Sequence, residues 1–297
     1  MPIPSPLAPL RSDPNAEFAG IVTRGHRFEA PLDHADPAGP KIEVFAREVR
    51  AVGAQEEDRP WLIFLQGGPG YEAPRPMDTS GWLGRALEQF HVLLPDERGT
   101  GLSTPIQAER VARMGSAIEQ AAYLANFRSD SIVRDLEIMR PHFTGGASWT
   151  SLGQSYGGFC KMRYLSSAPE GLSAVLFTGG IPGLTATAED VYTRTYPICL
   201  GKHDKWFKRY PKDAECLTKL YAQLEEQDIR LTDGDRLTPK RFSMVGLGLG
   251  MGDGFEALHY LLETAAASPD GPADRAFLRA YERAILHDHH PLFTVLH

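Results

Sequence analysis

The stretch Thr150-Ser151-Leu152-Gly153-Gln154-Ser155-Tyr156-Gly157-Gly158 restricts this chain more than any other. It sets Gly-x-Ser-x-Gly between a strand-like run and a helix expected from about Phe159. A serine presented at the top of a sheet occupies a sharp strand-to-helix turn with unfavourable backbone angles. Glycines two residues before and two after give the neighbouring backbone room to approach. The helix N-terminus beneath such a serine adds positive dipole where an oxyanion would develop. Ser155 is therefore the candidate nucleophile.

The surrounding sequence supplies strands for that serine to sit on. Trp61-Leu62-Ile63-Phe64-Leu65 and His91-Val92-Leu93-Leu94-Pro95 are continuous apolar runs, as is Ala174-Val175-Leu176-Phe177-Thr178. Runs of this kind are expected in strands buried on both faces of a parallel sheet. Upstream, 21–23, 27–29 and 42–46 surround a polar turn with Asp33, Asp36, Pro37 and Gly39, which predicts a hairpin. Residues 81–90 read as a short helix, and Ile132, Leu136 and Met139 repeat at helical spacing within 129–142. Strands alternating with helices imply a doubly wound α/β sheet with right-handed crossovers.

After Pro182-Gly183-Leu184 the strand signals stop, and segments near 187–200, 211–227, 253–267 and 273–287 carry helical patterns. The expected organisation is a Pro-rich leader over 1–19, an α/β core over 20–183 and a helical part over 184–297. The 297 residues are 42% hydrophobic and 23% charged, with no run of 18 apolar residues to span a membrane. A net charge of -7 without a basic stripe argues against a nucleic-acid partner. Cys160, Cys199 and Cys216 have no metal-ligand spacing, so no metal is expected. The N-terminus lacks the basic and apolar regions of a signal peptide, which points to the cytoplasm.

Two further stretches end predicted strands, where open α/β sheets place their sites. Gln66-Gly67-Gly68-Pro69-Gly70 and Asp96-Glu97-Arg98-Gly99-Thr100-Gly101-Leu102-Ser103, taken with the serine turn, resemble the proline iminopeptidase (prolyl aminopeptidase) family of S33 serine peptidases. That resemblance implies an α/β-hydrolase fold with a helical cap, no cofactor, and a peptide substrate with a free N-terminal proline. The family carries His where Gln66 stands. An oxyanion hole needs backbone N–H groups, so Gly67 or Gly68 with Tyr156 can still serve. Asp96, Arg98 and Gly101 match the Asp-x-Arg-Gly-x-Gly-x-Ser signature and are expected to brace the loop beside the site, Asp96 and Arg98 as a pair. The cap would supply apolar walls for the proline ring and carboxylates for its amine.

In this fold the order is Ser, then Asp or Glu, then His, after later strands. Those strands are not visible here. His287, His289, His290 and His297 are the late histidines, in a stretch expected to be solvated or capping. The expectation is that the chain stops inside the cap, with the acid and base beyond residue 297. The glycine-rich 246–254 stretch lacks a preceding strand and a Gly-Lys-Ser/Thr ending, so it reads as a hinge rather than a phosphate cradle. Cys160 is expected to pack inside its helix, and Trp206, Phe207 and Tyr210 to form core. An esterase or a non-catalytic protein retaining the serine turn are the alternatives, because fold does not fix function.

Overall fold

The computed structural model describes residues 9–285 and 290–296. It divides the chain into two compact units, one of residues 1–182 with 290–297 and one of residues 183–289. Residues 290–296 thus belong with the sheet unit, not with the helical part in which they were expected.

The first unit is built on a mixed eight-stranded sheet. Its strands are β1 (Arg11–Ser12), β2 (Ala16–Phe18), β3 (Ile21–Pro31), β4 (Lys41–Ala51), β5 (Trp61–Leu65), β6 (His91–Pro95), β7 (Trp149–Gln154) and β8 (Leu172–Thr178). The order is β1-β3-β4-β6-β5-β7-β8, with β2 also on β3. The β3–β4 hairpin is antiparallel over eleven residue pairs, β4 joins β6 antiparallel, and β6, β5, β7 and β8 run parallel. The expected leader is corrected here: β1 and β2 both pair with β3. Its described part is sheet rather than a loose segment, because the long β3 offers free backbone groups to pair.

The apolar runs work through the two-residue period of a strand. Trp61, Ile63 and Leu65 point to one face, where they meet Ile132, Leu136 and Met139, and with them Cys160 and Tyr164. Leu62 and Phe64 point to the other and pack on Leu83, Ala86 and Leu87. The helices supplying these contacts are α1 (Gly81–Leu87), then, after α2 (Ala108–Ala112) and α3 (Ala117–Leu124), α4 (Ser129–Thr144) and α5 (Tyr156–Ser167). Cys160 is fully buried, as its place on α5 predicted.

β8 departs from its expectation of burial on both faces. It is paired on one side by β7, and Leu176 is 49% exposed. Its apolar composition reports a preference for burial, but no described strand covers its outer edge. An open apolar edge is a template for pairing with another chain. We therefore expect concentration-dependent self-association of the 297-residue chain in sedimentation velocity, weakened by Leu176→Lys. Unchanged association of that variant would remove the edge from the explanation.

The second unit contains α6 (Ala188–Arg209), α7 (Asp213–Glu226), α8 (Pro239–Phe242), α9 (Gly254–Ala267) and α10 (Arg275–Ala284). Thr187 and Asp190 form a reciprocal capping box that starts α6. Trp206, Leu220, Leu224, Phe242, Leu262 and Phe277 form its core, with Phe207 and Tyr210 packed against them. The glycine-rich stretch lies largely in a 3-10 run, Ser243–Gly250. A last short helix, α11 (Pro291–Leu296), returns to the first unit, where Leu292 packs on Ile106 and Phe127. No described helix is long and apolar enough to cross a membrane.

Candidate active site

β7 delivers Ser155 and α5 begins one residue later, at Tyr156. Ser155 has φ 50° and ψ -113°, a conformation that non-glycine residues rarely adopt. Its surroundings hold it there. A Cβ on Gly157 would lie 2.1 Å from the Leu65 carbonyl oxygen, and one on Gly158 would lie 2.1 Å from that of Gly180. Gly180 itself approaches Ser155 so closely that a Cβ would lie 1.8 Å from the Ser155 carbonyl oxygen. The spacing of small residues in the motif is thus a close-packing requirement between strand ends and helix start.

The Gln66–Gly70 stretch leaves the end of β5 beside this turn. A Cβ on Gly67 would lie 3.0 Å from the Ser155 Cβ and 2.3 Å from Gln154 Oε1. Gly68 has φ 137°, and the Gly68-Pro69 bond is cis. The N–H of Tyr156, at the first position of α5, has no acceptor within its own helix. The glycine loop after β5 and the start of α5 therefore lie side by side at the serine.

Asp96 and Arg98 do not pair with each other, contrary to expectation; each takes another partner. Both Asp96 carboxylate oxygens accept from Arg75, at 2.7 Å each. Asp96 also accepts from the backbone N–H groups of Ala73 and Leu102. It thereby ties the chain after the Gly67–Gly70 loop to the 99–103 turn. Gly101, at φ 48°, is needed there: a Cβ would lie 2.3 Å from Asp96 Oδ2. Arg98 is buried and spends its donors on Asp135 Oδ1 and Oδ2 (2.6 and 2.7 Å) and on the carbonyls of Pro31, Leu32 and Asn126. Such a fully satisfied guanidinium locks β6, α4 and the β3–β4 turn together. Neither Arg75 nor Asp135 was singled out from the sequence. Asp135 carried a signal, a carboxylate three residues after Ile132 and four before Met139, beside the buried stripe of α4.

Glu97, between them, is buried under the helix start, with the Cys160 thiol donating to it at 3.9 Å. Burial pushes its carboxyl up to about 8. The folded chain thus holds a proton that the unfolded chain releases above its ordinary value of 4.5. Stability contributed by Glu97 is full below about 4.5 and is lost as pH rises towards 8. The slope is at most about 1.4 kcal/mol per pH unit. Glu97→Gln, which mimics the protonated carboxyl, should flatten the pH dependence of thermal stability across that window. An unchanged slope would show that Glu97 is ionised in the fold.

No described histidine of this unit hydrogen-bonds to Ser155. His26 is held by Glu48 and Ser12, His34 by Asp135, and His91 by the Glu57 carbonyl. His290 stacks on Tyr71 at 3.9 Å, with its Nδ1 3.8 Å from Glu72. His287, His289 and His297 lie outside the described residues.

The chain is 41% identical over 279 residues to a proline iminopeptidase of Aeromonas sobria, which covers 94% of this chain and 65% of that protein. It is 35% identical over 244 residues to the proline iminopeptidase aneH of Aspergillus aculeatus, covering 80% of this chain and 54% of that one. The chain thus spans less than two thirds of the length of either relative. Among solved structures, a proline iminopeptidase-related protein from Thermus thermophilus is 19% identical, with a TM-score of 0.33 over 52% of this chain and 44% of that one. The family described as alpha/beta hydrolase fold matches residues 60–275. On that match, which takes in β5 to β8 and the serine turn, the chain belongs to the alpha/beta hydrolase fold family.

Proposed function

We propose that this chain carries the nucleophile and oxyanion hole of a serine aminopeptidase that releases N-terminal proline from peptides. The observation that carries this reading is Ser155 at φ 50° between the end of β7 and α5, in a chain 41% identical to a proline iminopeptidase. Ser155 Oγ attacks the carbonyl of the substrate proline, and a histidine outside the described residues accepts its proton. The N–H of Tyr156, with that of Gly67 or Gly68, holds the oxyanion of the tetrahedral intermediate. That intermediate collapses as the histidine returns the proton to the leaving amine. Water then releases proline from the acyl-enzyme by the same steps. Asp96, Arg98 and Gly101 keep the two loops in register. Three free cysteines support placing the protein in the cytoplasm.

The test sets proline-naphthylamide beside p-nitrophenyl acetate, using the complete gene product. Turnover of the proline substrate well above that of its leucine and alanine analogues supports the reading. Hydrolysis of the acetate ester alone would replace it with an esterase.

A further inference from the structure

We propose that Lys161 is a positioning residue for the nucleophile, its buried amine clasping the end of β7 against β8 two residues before Ser155. The inference rests on reading Ser155 as the nucleophile. Lys161 lies on α5 with none of its surface exposed. Its Nζ donates to the Gly153 carbonyl at 3.0 Å and to the Leu176 carbonyl, so one amine joins neighbouring parallel strands. The same nitrogen sits 4.0 Å from the centre of the Phe177 ring. Thr178 Oγ1 donates to the same Gly153 carbonyl at 3.0 Å.

Among the described residues no carboxylate forms an ion pair with Lys161. Two carbonyl oxygens and an aromatic face are what offset its charge. Burial lowers its pKa to about 8, with the Cys160 thiol the titratable neighbour acting on it. A buried cation without a counter-ion is costly, and an apolar side chain of similar shape is often at least as stable. Filling space between α5 and the sheet therefore does not account for an amine here. Anchoring the Gly153 carbonyl does, because the strained Ser155 turn begins at the next residue but one. The motif's first glycine makes room for this arrangement: a Cβ at Gly153 would lie 2.6 Å from Lys161 Cε.

The test is Lys161→Met in the complete gene product, beside Lys161→Gln and Ser155→Ala. The inference expects Lys161→Met to lower kcat about tenfold or more with KM changed less than about twofold. Its Tm should not fall, and hydrogen exchange should quicken in the peptide spanning 153–156. Lys161→Gln, which retains an N–H donor, should recover part of kcat. Wild-type kcat in Lys161→Met, or a loss matched by a fall in Tm and not eased by Lys161→Gln, overturns the inference. If Lys161→Met does not fold, exchange at 153–156 in Lys161→Gln decides, and wild-type protection there overturns the inference. An active Ser155→Ala defeats the nucleophile reading instead, while the exchange comparison still reports whether Lys161 anchors the strand.

Discussion

Ser155→Ala leaves the complete gene product folded and removes its turnover by about a thousandfold or more, the scale seen when a catalytic serine is lost. The fold should survive because Ser155 contributes backbone rather than packing to the turn. The loop is held by the approaches of Gly157 to Leu65 and of Gly158 to Gly180, which a serine-to-alanine change does not touch. Alanine at φ 50° carries much the same backbone strain as serine, so the stability change should stay within about 1 kcal/mol. Circular dichroism and a proline-naphthylamide assay on the same preparation separate the two effects. Activity within tenfold of the unmodified protein would take Ser155 out of the mechanism.

Gly67→Val should be nearly as damaging, through geometry rather than chemistry. A Cβ at this position already lies 3.0 Å from the Ser155 Cβ and 2.3 Å from Gln154 Oε1, and valine adds two methyl groups. The loop must move away, and in the proposed mechanism that takes its N–H groups out of reach of the oxyanion. Loss of one oxyanion donor costs about 10²- to 10³-fold in kcat, so activity should be abolished at ordinary assay sensitivity. Gln66→His supplies the contrast. Position 66 serves mainly to lead into the glycine turn, so histidine there should leave kcat/KM within a few-fold. Equal losses from the two changes would point to a direct role for the Gln66 side chain.

The serine turn was legible because several requirements coincide within nine residues. A strand end, two glycine approaches and a helix start each leave a mark in the sequence. The central strands were legible for a related reason: an unbroken apolar run such as Trp61–Leu65 is stable only where both faces are covered. β8 shows the limit of that logic, since Val175, Leu176 and Phe177 state what the strand prefers and not what lies beside it. β1 and β2 were missed because strands of two and three residues owe their place to backbone pairing with β3, which leaves no local pattern. Asp96 and Arg98 were expected to pair with each other, and the partners they take instead were not read from the sequence. Arg75 and Asp135 are 21 and 37 residues from them, and such a choice is made only in three dimensions. No acid or base partner for Ser155 was read from the sequence, because no strand signal follows Thr178 to mark where one would stand.

The central claim is that Ser155 stands in a formed nucleophile turn that lacks its activating histidine among the described residues of the sheet unit. Serine without a general base is a poor nucleophile at neutral pH, and an oxyanion hole alone retains only residual catalysis. Fluorophosphonate labelling, read by mass spectrometry of the peptide spanning Ser155, tests this directly. The expected result is stoichiometric labelling of Ser155 in a preparation that turns over proline-naphthylamide, and no labelling of that peptide in Ser155→Ala. An active preparation left unlabelled at Ser155 would contradict it, and would give the nucleophile's role to another residue.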